Sequence, residues 1–401
     1  NLYGTWAMGG IIHLISQAGR PKNGASVDLN GGSFESHLQS VRAQYGNDRT
    51  GWTLGYRHFG TAGFLTVPSY QRGPADTPVG SEHHQFTGKV SHELTSHTTA
   101  SLSGAYYTED RSFGTSFSRG SRTIGTASLS LKGDHGFGGV WEATAFAQWQ
   151  TFRNEVGEVL PSPFVRRFDQ PDRRQTIPSN DVGGMAQWTA PLFSFSRVVV
   201  GGDARAILVQ SEDLRVPSQT RVVTQGKQVG MGAFGEWIAE PFDALVFTAG
   251  ARWDWWKSFD GARVPASGLI TSSQDNVASI INPKVSLSYR LHDRVRIGAS
   301  VYQAFRAPTL NELYRDFSAS GFTFLSNDRL EPERLTGGDV KVEVELLEDG
   351  LLSVRATGHY DEIKDQILFV TQGPASVQRQ NIGKGRSVGA VSGRPDSQAS
   401  L

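Results

Sequence analysis

Lys284-Val285-Ser286-Leu287-Ser288-Tyr289-Arg290-Leu291, a break at His292-Asp293, and then Arg294-Val295-Arg296-Ile297-Gly298-Ala299-Ser300-Val301 decide the fold class. Apolar and polar residues alternate one for one on both sides of the break. Successive side chains of a strand point to opposite faces, so each half has one apolar and one polar face, and the break turns one strand back beside the other. The pattern returns in Val340, Val342, Val344 and Leu346 against Lys341, Glu343 and Glu345. It returns again in Leu352, Val354, Ala356 and Tyr360 against Ser353, Arg355, Thr357 and His359. Helical periodicity is hard to find anywhere in the chain.

Composition agrees with strands. The 401 residues include 46 Gly, 22 Phe, 10 Tyr and 9 Trp but 3 Met, a mix that suits aromatic-rich strands joined by many turns. Lys+Arg and Asp+Glu stand at 39 each, so the basic footprint of a nucleic-acid binder is absent. The absence of cysteine excludes a disulfide framework, a thiolate metal site and a Cys nucleophile. No apolar run approaches the ~20 residues that a spanning helix needs. A β-barrel evades that test, because each of its strands averages lipid-facing and lumen-facing residues. Asn1-Leu2-Tyr3-Gly4 has neither an initiator Met nor a charged leader, and is read as an internal start.

The connections sharpen the expectation. Short polar breaks fall at 46–49, 95–97, 132–138, 192–196, 240–244, 291–294 and 348–350. Longer irregular stretches lie between them, at 59–82, 107–121, 152–180, 211–222, 257–278, 307–335 and 364–377. Short turns at one end and long loops at the other are the mark of an outer-membrane barrel. About 16 strands of roughly 9–14 residues are expected, enough to cross a hydrocarbon band when tilted. Trp52, Tyr56, Phe59, Tyr106, Tyr107, Trp141, Trp149, Trp237, Trp253, Trp255 and Trp256 fall near many strand tips, as interfacial girdles require.

Three motifs tempt. Gly230-Met231-Gly232-Ala233-Phe234-Gly235 matches the dinucleotide fingerprint, but Glu236-Trp237-Ile238-Ala239-Glu240-Pro241 continues as strand where a helix is needed. Its glycines are expected to leave room for a bulky neighbour or a plug. His92-Glu93-Leu94-Thr95-Ser96-His97 is one residue too long for a zinc-protease helix and sits at a strand-to-turn junction. His83 and His84 would face opposite ways, so no metal site is assigned. The stretch with Arg153, Arg166, Arg167, Arg173 and Arg174 is either a solvated loop or an electropositive mouth. No nucleophile-and-base constellation stands out, and no catalytic residue or cofactor is assigned.

Two segments carry a resemblance. Leu2-Tyr3-Gly4-Thr5-Trp6-Ala7-Met8-Gly9-Gly10-Ile11-Ile12-His13-Leu14-Ile15 resembles the closing segment of the plug domain of TonB-dependent outer-membrane receptors, through Tyr3-Gly4 and Gly9-Gly10 leading into an apolar strand. Trp6 and His13 depart from that pattern. Phe305-Arg306-Ala307-Pro308-Thr309-Leu310-Asn311-Glu312-Leu313-Tyr314 resembles the family's signature at the top of a late strand, where Pro308 cannot continue the ladder. Asn327-Asp328-Arg329-Leu330-Glu331-Pro332-Glu333 resembles its downstream partner, through Asn327, Leu330, Pro332 and Glu333.

The resemblance implies an all-β, transmembrane, antiparallel up-and-down β-barrel with about 16 of 22 strands present. It divides the chain into the end of a plug (1–20), a partial barrel (21–390) and an irregular tail (391–401). It further implies a bacterial outer-membrane importer of a ferric siderophore or cobalamin-like complex. That importer would act as a monomer among lipid and lipopolysaccharide, driven by TonB with ExbB and ExbD, and would contact no nucleic acid. Arg166, Arg167, Arg306, Asn311 and Tyr314 are the candidate ligand contacts, Arg306 and Asn311 having barrel-to-loop hydrogen bonding as the alternative role. A passive porin, a soluble all-β carbohydrate-binding module and an outer-membrane enzyme are the rival readings.

Overall fold

The computed structural model describes residues 23–135, 138–161, 165–319, 321–347 and 352–393. The plug-like segment Leu2–Ile15 and most of the tail lie outside them. The first strands are β1 (Gly24–Gly32), β2 (Ser36–Gly46), β3 (Thr50–Phe64), β4 (Val79–Thr95), β5 (Thr98–Thr115), β6 (Ser118–His135) and β7 (Gly139–Leu160). Next come β8 (Phe168–Phe193), β9 (Ser196–Arg215), β10 (Thr220–Phe242), β11 (Leu245–Pro265), the short β12 (Thr271–Ser272), β13 (Asn276–His292) and β14 (Val295–Arg306). A single helical turn, α1 (Leu310–Tyr314), leads to β15 (Phe317–Ala319) and β16 (Phe322–Leu325). The chain continues through β17 (Glu333–Leu347), β18 (Leu352–Lys364), β19 (Ile367–Gly373), β20 (Ser376–Asn381) and β21 (Lys384–Gly393).

Among the described residues one sheet of 17 strands runs as an antiparallel meander. Setting aside the two-residue β12, it holds sixteen long strands, the number expected from alternation. Each pairs with its neighbours along the chain, except that β14 passes over the loop elements to β17, and β18 passes over β19 and β20 to β21. Strands β15, β16, β19 and β20 form a second small sheet, in which β16 and β20 run parallel.

The two faces of the wall differ as the sequence requires. Val285 pairs with Val301 and Leu287 with Ala299 across β13 and β14, and Val340 and Val354 continue that face. These side chains are 47%, 63%, 44%, 60% and 41% exposed for Val285, Val301, Leu287, Val340 and Val354: an apolar outer belt left uncovered by the described residues. The inner face is polar and ion-paired. Arg252 bridges Asp203 (2.6 Å) and Asp254 (2.7 Å), Asn282 donates to Asp254 (3.3 Å), and Arg205 grips Asp181 through Nε at 2.8 Å. The accessible surface is 23746 Å². A compact chain of this mass would show about 15,000 Å². A sheet bare on its outer side and hollow within accounts for the excess. No helix among the described residues is long and apolar enough to cross a membrane.

Gly230–Gly235 lies within β10, as its strand-like flanks predict. A Cβ on Gly232 would lie 1.9 Å from Nη2 of Arg252, so the glycine lets this buried arginine cross the wall to both aspartates.

The connections differ from expectation in one respect. The stretches 107–121, 152–180 and 211–222 are not irregular loops. β5 and β6 continue to a two-residue turn at Ser116-Phe117, and β7 and β8 run 22 and 26 residues. Above the apolar belt both faces of a strand meet water, so alternation stops while the ladder continues. Strand length therefore exceeds the 9–14 residues that pattern alone supports. At the other end the turns are short, as at Asn47, whose side-chain oxygen accepts from the backbone N–H groups of Arg49 (3.0 Å) and Thr50 (2.7 Å).

Candidate functional site

Phe305–Tyr314 and Asn327–Glu333, paired in the sequence reading, fold together at the long-loop end of the lumen. Pro308 lacks the N–H that would extend β14. Thr309 then caps α1: its hydroxyl accepts from the Glu312 N–H, and the Glu312 carboxylate accepts from the Thr309 N–H at 2.8 Å. Thr309-x-x-Glu312 is a capping-box pattern, a signal the sequence carries for a helical turn in a stretch expected to be irregular.

Glu312 serves a second partner. Arg306 donates through Nη1 to Glu312 (3.0 Å) and through Nε to Glu333 (2.6 Å). Burial pushes the pKa of the Glu312 carboxyl up, but hydrogen bonds from Arg306 and Thr309 outweigh it and hold the group below the usual carboxylate range. The other oxygen of Glu333 accepts from the backbone N–H of Ile367 at 2.6 Å, and Asn327 donates through its backbone N–H to the Glu312 carbonyl (3.1 Å) and through its side-chain amide to the Arg379 carbonyl (2.9 Å). Strand β14, helix α1, the start of β17 and the small sheet thus meet in one knot.

Beneath it lies the main hydrophobic cluster: Trp256, Ile280, Phe305, Ala307, Leu310, Leu313, Tyr314, Leu330 and Ile367. Tyr314 rests on two wall glycines; a Cβ on Gly226 or Gly261 would come within 2.6 Å of its ring. The Pro308 carbonyl accepts from Gln228 (3.0 Å), itself bonded to Ser258 (3.0 Å). Tyr314 is 3% exposed.

Between α1 and the wall is a chamber of about 320 Å³. Phe152, Ile177, Val209, Leu310 and Tyr314 give it apolar surface, while Gln175, Ser211, Thr224, Gln225, Asn311 and Arg315 supply polar atoms. Arg315 pairs with Asp213 (3.2 Å), which also accepts from Gln175 (2.9 Å) and Ser211 (3.1 Å). The lining can hold a ligand of mixed polarity, with donors fixed by second partners. A Ser–His contact among the described residues, His359 Nε2 to Ser387 Oγ at 3.3 Å, lies in mid-strand.

Of the predicted contacts, Arg306, Asn311 and Tyr314 are gathered here. Arg306 is occupied by two carboxylates. Asn311 is exposed at the chamber, its carbonyl accepting from Arg315 (3.3 Å). Arg166 and Arg167 stand on the β7–β8 connection. Arg166 clamps Asp76 of the β3–β4 loop through Nε at 2.8 and 3.0 Å, and that hydrogen-bonded guanidinium holds the Asp76 carboxyl below its ordinary value. Arg167 is exposed. Arg174 pairs with Glu155 (3.0 Å), and Arg173 donates to the Ser318 carbonyl (2.7 Å), so much of that arginine-rich stretch has internal partners. Arg315, Asp213 and Gln228 were not singled out from the sequence; they come from three elements and share no local motif.

This geometry defines a barrel with a loop-capped lumen. The model of the TonB dependent receptor-like β-barrel family matches residues 5–390, and the chain belongs to that family. Among solved structures, a copper transporter, OprC, is 16% identical with a TM-score of 0.75, covering 94% of this chain and 59% of its own. The ferric yersiniabactin uptake receptor FyuA from Yersinia pestis is 14% identical at 0.73, over 97% and 61%. The siderophore receptor PirA from Acinetobacter baumannii is 13% identical at 0.72, over 97% and 62%. At these identities the likeness is one of fold, and the chain spans about three fifths of the length of each. No curated protein matches the chain.

Proposed function

We propose that the intact protein imports a scarce nutrient complex, of the ferric-siderophore or cobalamin type, across the bacterial outer membrane. TonB, with ExbB and ExbD, would supply the energy. Family membership supports the class of transport. The observation that carries the reading is the chamber between α1 and the lumen wall: partly apolar, ringed by anchored polar groups, and set at the long-loop end where a ligand would arrive. Asn311, Tyr314 and Arg315 are assigned to ligand contact there. Arg306 is assigned to holding α1 and the small sheet in place. Arg166 fixes one loop to another, and exposed Arg167 is free to attract an anionic chelate. Transport on this reading is a population shift between closed and open lumen states, with no covalent step.

Uptake of radiolabelled iron from a panel of ferric siderophores, and of cobalamin, tests this in cells whose own receptors are deleted. Accumulation from one complex that vanishes in a tonB deletion is the expected result. Uptake that persists without TonB, together with steady conductance in planar bilayers, would establish a passive pore instead.

A further inference from the structure

On the opposite side of the wall from the chamber, we infer a binding site for a late first-row divalent cation such as Zn²⁺ or Cu²⁺, built from His58, Glu82 and His84. His58 on β3 pairs directly with His84 on β4, so both imidazoles project from one face. That face is the outer one, because Tyr56 and the exposed Phe86 sit next along it. His84 and His83 point to opposite sides, as their adjacency requires; His83 instead meets Phe59 and Tyr107. The partner of His84 is across the ladder, not beside it in sequence.

The donor atoms converge. Nε2 of His58 lies 3.1 Å from Oε1 of Glu82, Nε2 of His84 lies 3.6 Å from the same oxygen, and all three ligand atoms fall within 4.8 Å of one another. A tetrahedral ion with bonds of about 2.0–2.1 Å holds its ligand atoms roughly 3.3 Å apart, so the measured N–O separations bracket the required edge. The rings of His58 and His84 stack at 4.5 Å with their planes 4° apart, so their in-plane lone pairs run parallel and one ring must tilt as an ion binds; His37 meets His58 edge-on at 5.1 Å. Nδ1 of His84 lies 2.9 Å from the Tyr56 hydroxyl. A proton on Nδ1 donated to that oxygen leaves Nε2 bare for a metal and fixes the ring plane, the arrangement typical of ligating histidines. Two imidazoles and one carboxylate favour Zn²⁺, Cu²⁺ or Ni²⁺ over Mg²⁺ or Ca²⁺. Glu82 is 61% exposed, so the remaining positions open outward to water or an anionic group of the surroundings.

The site does not depend on what passes through the lumen, and its test is separate from the transport test. The intact protein, purified in detergent, is titrated with Zn²⁺ by calorimetry and with Cu²⁺ by electron paramagnetic resonance. One equivalent and a two-nitrogen Cu²⁺ signal are expected. His58→Ala and His84→Ala should each weaken binding at least 100-fold. Glu82→Gln, which keeps the shape of the site, should weaken it about 10-fold, and Tyr56→Phe similarly by freeing the ring. His92→Ala, at an unrelated exposed histidine, should change nothing. Equal Cu²⁺ affinity in wild type and the His58→Ala/His84→Ala double variant, with circular dichroism showing both folded, would overturn the proposal. Equal affinity for Zn²⁺ in wild type and Glu82→Gln would do the same.

Discussion

Arg306 shows how one side chain can hold several elements. Its guanidinium stands between Glu312 and Glu333, whose side chains are 15% and 6% exposed. Arg306→Ala would leave two close carboxylates without their cation, at a local cost of about 3 kcal/mol. Hydrogen exchange across 307–332 and the start of β19 should accelerate by about two orders of magnitude. Arg306→Lys should recover only part, because an ammonium cannot reproduce the planar fork; unchanged exchange in Arg306→Ala would remove the knot's structural role. The Asp76–Arg166 clamp gives a prediction in pH. Its folded carboxyl value lies below the ordinary 3.8, so the clamp stabilises the loops at pH above 3.8 and fades as acidity carries the pH through the lower folded value. Proteolytic nicking of the β3–β4 loop should therefore be unchanged from pH 7 to 5 and rise only below about 4, whereas Asp76→Asn should raise it from pH 7 to 5 and converge with the wild type as the clamp is lost in acid.

At the scale of the element, alternation marked the strands because one face of each meets an apolar surround and the other a polar lumen. Val285, Leu287, Ile297 and Val301 were legible for that reason. The upper halves of β7 and β8 were not, since a strand wet on both faces carries no two-residue pattern. Helix α1 is too short for periodicity, and only Thr309 and Glu312 betray it. The His58–His84 pair was hidden for a different cause: it depends on the register between β3 and β4, which no local stretch encodes. The seat of α1 can be tested by size. Gly226→Ala forces a methyl against the Tyr314 ring and should loosen the helix, while Gly226→Ala combined with Tyr314→Ala should be milder than the sum of the two. Chymotryptic cleavage between Leu310 and Tyr314 reports the difference, and strict additivity would argue against the contact.

For the whole molecule, the apolar belt and the ion-paired lumen make opposite demands on substitutions one residue apart. Val301→Arg, on the outer face, should cost about 2–4 kcal/mol in lipid when near the midplane, against little for Ser300→Arg on the lumen side. Urea unfolding from lipid vesicles measures both, and equal losses would contradict the assignment of faces. Family and fold were within reach of the sequence because they rest on repetition and on two contiguous motifs. The chamber was only half legible. Asn311 and Tyr314 belong to a motif, while Asp213, Gln175 and Arg315 are assembled from β9, β8 and the segment after α1.

The length of β7 and β8 has a mechanical meaning. A 26-residue strand at about 3.4 Å per residue reaches ~85 Å, or ~60 Å of height at a 45° tilt, about twice the thickness of a hydrocarbon layer. The upper end of β7 and β8, beside Arg166, is therefore the end of a stiff mast, not a slack tether. A push at the tip arrives at the rim as torque, and the Asp76–Arg166 clamp is the stay that sets how far the mast can lean.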